Sequence, residues 1–225
     1  IQNSPSNRGV CMLMNGETPT RVDFAHYVNI MTKGNSTHFG DLNTPSSQGG
    51  GGGNEIRAFL MGGSHPSGNL QEIQYTAIGS SGRFLDFGNL SSGRQTVAVV
   101  STSVQATATA GATSGDTVQN IIEYVNIMTT GNAIDLGDLN IQRRANGAFG
   151  SPVRGVVVAG CTPTIFGNIE FFNPHSKGNA ANWGEMDKRR SLYAFSNSTR
   201  GIMAGGFDPA RLNTMEYLTI ASSGT

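Results

Sequence analysis

Apolar and aromatic positions recur along this chain at a nearly constant interval. A glycine that follows a β-branched and aromatic stretch recurs at intervals of 48, 49, 47 and 46 residues: Gly34, Gly82, Gly131, Gly178 and Gly224. An aromatic residue lies seven positions before each glycine: Tyr27, Tyr75, Tyr124, Phe171 and Tyr217. A second marker, in which an arginine precedes small and apolar residues, has the same period: Arg8, Arg57, Arg154 and Arg200, with Gln105 in the third unit. Two markers with one period indicate five repeated units.

The third unit shows the elements of one repeat. Apolar or alternating stretches bounded by Gly, Asn or Ser lie at 96–101, 105–111, 120–128 and 134–139. Each has the length of a β-strand, and no segment keeps a 3.6-residue apolar period. The pattern therefore predicts four strands per unit and almost no helix.

A unit of this kind can bury its apolar faces only against neighbouring units, and radial closure leaves few exposed edges. The sequence thus predicts an all-β chain that forms a β-propeller of about five four-stranded blades. We expect a single repeat domain over residues 1–225, with incomplete first and last blades. The approximate blade boundaries are 1–42, 47–90, 94–139, 144–186 and 190–225.

The two ends of the chain interrupt the repeat pattern. The chain starts at Ile1 within a repeat, and its last unit stops before the outermost strand. We therefore expect a fragment of a longer chain, in which residues 215–220 pair with a strand from outside the 225 residues.

Composition argues against several kinds of partner. The chain has 15 basic and 15 acidic residues, so its net charge is zero. This balance argues against nucleic acid or an anionic membrane surface held by bulk electrostatics. No apolar run approaches the ~18 residues that a membrane-spanning helix needs, so we expect no membrane insertion.

Cys11 and Cys161 lie on predicted strands, and we interpret both as small buried apolar residues without a disulfide framework.

Several residues match the pattern of kelch repeats, in which a strand ending in a glycine pair is followed by a tyrosine, a tryptophan and an arginine. The matching residues are Gly62-Gly63, Gly205-Gly206, the repeated tyrosines, Trp183, Arg94, Arg144 and Arg190. The tryptophan position is held in other units by Phe39, Phe87 and Leu136. The chain therefore resembles a divergent kelch-like propeller. Its Arg-Gly-Val, Glu-Tyr-Val-x-Ile and Phe-Gly-Asp-Leu phrases also resemble repetitive virion and fibre proteins of tailed phages that infect marine bacteria.

The kelch resemblance raises the copper site of galactose oxidase as a candidate chemistry. That site needs two tyrosines, two histidines and a tyrosine–cysteine crosslink. The histidines of this chain share no repeat position and form no closely spaced ligand pair: His26, His38, His65 and His175.

The glycine run at 49–53 lacks the ending of a phosphate-binding loop, and we interpret it as a degraded or flexible inner strand. We expect no catalytic residue, cofactor or metal.

The charged residues that recur once per unit have a structural interpretation. The recurring glutamates are Glu72, Glu123, Glu170 and Glu216. We expect Arg8, Arg57, Arg154 and Arg200 to pair with carboxylates in the same or the adjacent unit. The alternative is a ring of guanidinium groups that captures a sulfated or phosphorylated ligand.

These observations favour a non-enzymatic structural or interaction module. We expect a phage virion component (tail, fibre or capsid-associated) that acts in assembly or host-surface attachment, with other virion proteins, copies of itself, or a host-surface glycan or protein as partners. The alternative is an extracellular or cell-surface kelch-type domain that binds carbohydrate or protein, and the third is a divergent galactose-oxidase-like enzyme. The connections that vary between units should carry specificity: 17–22, 64–70, 112–119, 162–167 and 207–212.

Overall fold

A computed structural model describes residues 8–12, as backbone only, and residues 22–222. The chain is all-β and forms a β-propeller of small antiparallel sheets, which confirms the predicted fold class. Within the described residues the helical content is one 3₁₀ turn, Ser114–Asp116, and no helix there could cross a membrane.

Five sheets follow one another along the chain. The first contains β1 (Arg8–Met12), β2 (Phe24–Asn29) and β3 (Thr37–Asp41). The second contains β4 (Gly50–Gly53) and β5 (Arg57–Met61), then a small separate hairpin of β6 (Ser64–His65) and β7 (Gly68–Asn69), then β8 (Glu72–Ala77) and β9 (Leu85–Asn89). The third contains β10 (Ala98–Ser101), β11 (Gln105–Thr109), β12 (Ile121–Asn126) and β13 (Ile134–Asp138). The fourth contains β14 (Gly147–Ser151), β15 (Arg154–Cys161), β16 (Ile165–Phe172) and β17 (Ala181–Glu185). The fifth contains β18 (Tyr193–Ser196), β19 (Arg200–Ala204) and β20 (Met215–Thr219).

Strand order within each sheet follows the chain, and every pairing is antiparallel. The second, third and fourth sheets have the expected four strands, whereas the first and fifth have three within the described residues. The inner strand expected for the first unit falls on residues 1–7, outside the described residues. Strands β5, β11, β15 and β19 occupy equivalent second places, as the arginine marker predicts.

The glycine run corrects our interpretation of a degraded strand. Residues 50–53 form β4, a regular inner strand paired with β5. A Cβ atom on Gly52 would lie 2.5 Å from Ser101 Oγ and 2.5 Å from a Val99 methyl group. Glycine is therefore required because β4 packs closely against β10 of the next sheet.

Each sheet packs one face against the next sheet along the chain, and we call this side its forward face. On the fourth sheet, Phe149 and Val156 lie on the forward face and are buried against Met203 and neighbouring apolar residues of the fifth sheet. Similar clusters join the first to the second sheet, the second to the third, and the third to the fourth. The apolar core is therefore divided among the gaps between consecutive sheets.

The repeated aromatic residues lie on the forward faces, but they are less buried than we expected. Tyr27, Tyr75, Tyr124 and Phe171 are half-buried beside the inter-sheet clusters. Tyr217 is 66% exposed because the forward face of the fifth sheet is not covered within the described residues.

The glycine-pair position of the kelch pattern follows the second strand in the second, third and fifth sheets, and it forms a bulge within β15 of the fourth sheet. Its first position is left-handed in four sheets, with φ of 63°, 58°, 55° and 64° at Gly62, Ala110, Ala159 and Gly205. Its second position has φ between 98° and 119° and is glycine each time: Gly63, Gly111, Gly160 and Gly206. Alanine tolerates the first conformation at some cost, whereas the second is essentially confined to glycine. This difference explains why one glycine of the pair varies and the other does not.

Candidate functional site

The inner strands of the second to fifth sheets line a central channel. A cavity of about 500 Å³ lies between β4, β10, β14 and β18. A second cavity of about 520 Å³ adjoins it where these strands begin, and we call it the channel mouth. Its polar lining side chains are Gln48, Gln95, Thr96, Arg144, Asn146, Arg190 and Ser191. A volume of several hundred Å³ with convergent polar groups suits a small ligand.

The turn that leads into each inner strand has an uncommon backbone conformation. One non-glycine residue per sheet has a left-handed φ between 53° and 59°: Gln48, Thr96, Ala145 and Ser191. Two backbone hydrogen bonds join the turns of neighbouring sheets. The Thr96 amide donates to the Gln48 carbonyl at 2.7 Å, and the Ser191 amide donates to the Ala145 carbonyl at 2.7 Å. Hydrogen bonds between neighbouring sheets therefore hold the turns that form the mouth.

The variable connections surround this mouth. Each connection between a second and a third strand forms an isolated β-bridge to the start of its inner strand: Ser47 with Ser64, Gln95 with Ala112, Arg144 with Cys161, and Arg190 with Phe207. The structure thus brings together four connections that the sequence singled out, namely 64–70, 112–119, 162–167 and 207–212. Most of the fifth, 17–22, lies outside the described residues.

Buried arginines stand just before three of the inner strands. Arg94, Arg143 and Arg189 have no exposed surface, and their guanidinium groups donate to Glu123, Glu170 and Glu216 respectively. Burial lowers the pKa of Arg94 and of Arg143, and the adjacent carboxylates partly offset this effect. Both guanidinium groups stay protonated because the ordinary pKa of arginine is far above neutrality. These ion pairs fix the connections between sheets.

A β-bulge places two of these glutamates. The register between the third and fourth strands shifts immediately before Glu123 and before Glu170. The same shift precedes Gln74, so Gln74 and not Glu72 is the equivalent residue of the second unit. The position that arginine holds in later units is Ser46 there, and the Gln74 side chain bonds to the backbone of Asn43 and Thr44 instead. The second unit therefore lacks both the buried arginine and the glutamate that pairs with it in later units.

Our expectation that the marker arginines pair with carboxylates is wrong for Arg57, Arg154 and Arg200. Each guanidinium lies over the repeated aromatic ring of its own unit, at 4.7 Å from the Tyr75, 4.8 Å from the Phe171 and 4.7 Å from the Tyr217 ring centroid. Arg57 also donates to the Ile127 carbonyl and Arg154 to the Ile220 carbonyl, both at 2.7 Å. The side chain of Arg8 lies outside the described part of the chain. Arg57 and Arg154 therefore join neighbouring sheets.

Two residues of the mouth differ from their counterparts, and our sequence interpretation missed both. Asn146 holds a position that is Gly49, Val97 or Leu192 in the other sheets. It is 8% exposed, and neither polar atom of its amide has a hydrogen-bond partner. The sequence could have shown this difference, because Asn146 is a polar residue at a repeat position that is apolar or glycine in the other units.

The second such residue is Arg190. The equivalent residue Arg144 forms an ion pair with Asp116 at 2.6 Å, and this hydrogen bond raises the pKa of Arg144. The guanidinium of Arg190 lies instead over the Phe207 ring, 5.0 Å from its centroid. Within residues 22–222, no carboxylate lies within ion-pair distance of Arg190.

The histidines and the described cysteine do not converge on this site. Among the described residues, no group of three or more His, Cys, Asp or Glu side chains could hold a metal ion. His26 lies near His38 in the first sheet, His65 contacts Ser67 in its own turn, and the His175 ring contacts the Pro152 carbonyl. Cys161 is a free, buried thiol, and the Cys11 side chain lies outside the described part.

No protein-family model and no curated protein sequence matches the chain.

Proposed function

We propose that this kelch-like propeller is a non-enzymatic assembly module of a phage particle that acts in particle assembly or host-surface attachment. The phage assignment is supported by the repeated phrases of the sequence, and the kelch assignment by the glycine pairs, tyrosines and Trp183. The recurring charged residues support a non-enzymatic role because they are engaged in ion pairs and stacking contacts within their own units.

The observation that carries the assembly role is the uncovered forward face of the fifth sheet. Four large apolar side chains on this face are 80%, 50%, 73% and 66% exposed: Tyr193, Phe195, Met215 and Tyr217. Phe149 and Phe171 hold two equivalent positions on the fourth sheet, where they are buried or half-buried. A large exposed apolar patch marks a surface that contacts another protein.

A second copy of this chain supplies the matching surface. Every covered forward face packs against the opposite face of the following sheet. The first sheet has such an opposite face, formed by Phe24, His26 and Val28, because its alternate residues Ala25 and Tyr27 face the second sheet. Association of a fifth sheet with the first sheet of another copy is head-to-tail and generates a ring or a filament.

The association state in solution tests this proposal. We expect the purified chain to self-associate with increasing concentration in analytical ultracentrifugation, and Met215→Glu to shift it to monomer. Met31→Glu is the matched control because Met31 is 74% exposed in a turn of the first sheet, compared with 73% for Met215. A wild-type chain that stays monomeric at several hundred micromolar would contradict association with a second copy. Capsid, portal or tail genes beside the gene would support the phage assignment, and genes of sugar metabolism would oppose it.

A further inference from the structure

We propose that the channel mouth binds a carboxylate-bearing carbohydrate, with Arg190 as the partner of the carboxylate and Asn146 as the partner of a neighbouring hydroxyl group. Tyr193 borders both this site and the forward face of the fifth sheet, but Arg190 and Asn146 are not part of that face, so the proposal does not depend on the proposed self-association.

The first step concerns the charge of Arg190. The two mouth arginines, Arg144 and Arg190, hold equivalent positions, but the connection at 112–119 supplies Asp116 to the first of them. The connection at 162–167 has the sequence Thr-Pro-Thr-Ile-Phe-Gly and contains no carboxylate. Arg190 therefore keeps an uncompensated guanidinium that lines the mouth and is half-buried against Phe207. A planar guanidinium of this kind favours bidentate contact with a carboxylate.

The second step concerns the amide of Asn146. Buried polar atoms are nearly always hydrogen-bonded, because an unmet donor or acceptor loses its water without compensation. Asn146 has both an unmet donor and an unmet acceptor, and it lines both the channel and the mouth. Since no hydrogen bond to the protein holds this amide, it can rotate toward the cavity without breaking one. An amide presents one acceptor and two donors, which suits a hydroxyl group that both donates and accepts.

The remaining lining selects the class of ligand. Thr96 contributes a second hydrogen-bonding group without a partner, and Gln95 and Ser191 contribute further neutral polar groups. Tyr193 adds an exposed aromatic ring at the edge of the mouth. Within the described residues, Arg190 is the mouth cation without an ion-pair partner, and the neutral hydrogen-bonding groups and the ring around it fit a sugar with one carboxylate better than a ligand with several negative charges.

Titration of the ¹⁵N-labelled chain with sodium glucuronate, glucose, sodium acetate and sodium sulfate tests the proposal. We expect glucuronate to shift the side-chain signals of Asn146 and Arg190 and to bind about tenfold more tightly than glucose or acetate, because each of these lacks one of the two contacts. Equal affinity for glucuronate and acetate would show an adventitious anion site only. Equal affinity for glucuronate and glucose, tighter binding of sulfate, or no response to glucuronate would also overturn the proposal.

Variants separate the ligand role from a structural one. Arg190→Gln should weaken glucuronate binding about tenfold and leave glucose binding unchanged. Arg144→Gln is the matched control, and it should change glucuronate affinity by no more than about twofold because Asp116 already compensates that charge. Asn146→Ala should weaken binding without lowering the urea midpoint, since it removes polar groups that lack partners in the protein. An Asn146→Ala chain that binds glucuronate as the wild type does would overturn the role of Asn146.

Discussion

The Arg143 guanidinium donates to the Glu170 carboxylate, and both side chains are completely buried between the third and fourth sheets. Arg143 also donates to the Ala159 and Asn168 carbonyls at 3.1 Å, and the amides of Asn140 and Ile141 donate to the carboxylate. The pair therefore closes a hydrogen-bond network around the connection that leads from one sheet to the next.

Glu170→Gln should destabilise the chain by about 3–5 kcal/mol, because it leaves the buried guanidinium of Arg143 without a counter-charge. The free energy of unfolding from urea titration measures this loss. Glu185→Gln is the control, since Glu185 is exposed at the end of β17, and it should change stability by less than about 0.5 kcal/mol. Equal stability of the two variants would contradict a structural role for the pair.

Gln74→Glu should also destabilise the chain, although it restores the residue found in later units. Gln74 is 1% exposed, and its amide group donates to the Thr44 carbonyl at 3.1 Å. A carboxylate would face that carbonyl without the buried arginine of the later units, because Ser46 holds the arginine position. We expect a loss of about 1–3 kcal/mol in urea unfolding. The control Gln71→Glu lies on the surface and should be neutral; a neutral Gln74→Glu would show that Ser46 and Gln74 are not linked.

Gly52→Ala should destabilise the chain by about 1–3 kcal/mol through overpacking against β10. The added methyl group would lie 2.5 Å from both Ser101 Oγ and a Val99 methyl group. Gly82→Ala is the matched control, because a Cβ atom there meets nothing within 4 Å. The control should be neutral or stabilising by up to about 1 kcal/mol. Thermal unfolding that ranks the two variants in the opposite order would rule out close packing of β4.

Arg154→Met should cost more stability than Arg200→Met, although both arginines hold the same repeat position. Arg154 donates to the Ile220 carbonyl and lies over the Phe171 and Trp183 rings, at 4.8 and 4.9 Å from their centroids. Arg200 lies over the exposed Tyr217 ring. We expect losses of about 2 kcal/mol for Arg154→Met and less than about 1 kcal/mol for Arg200→Met. Calorimetry would contradict this if the two losses were equal.

The sequence by itself determined the repeat, the strand order within each unit and the all-β propeller. These features follow from local patterns, because the ends of β5 at Gly62-Gly63 and of β19 at Gly205-Gly206 depend on backbone conformations that only a few residue types adopt. The period of the aromatic residues was equally informative, since each unit must bury an apolar face against the next.

Only the tertiary structure decided which charged groups meet. Arg143 and Arg144 are adjacent in sequence, yet the first is buried against Glu170 and the second pairs with Asp116 near the surface. A β-bulge before Glu170 sets which side chain turns inward, and strand periodicity does not reveal such a shift. The exposure of Tyr217 and the unpaired amide of Asn146 likewise depend on which sheets and turns lie nearby in space, so the tertiary structure alone could show them.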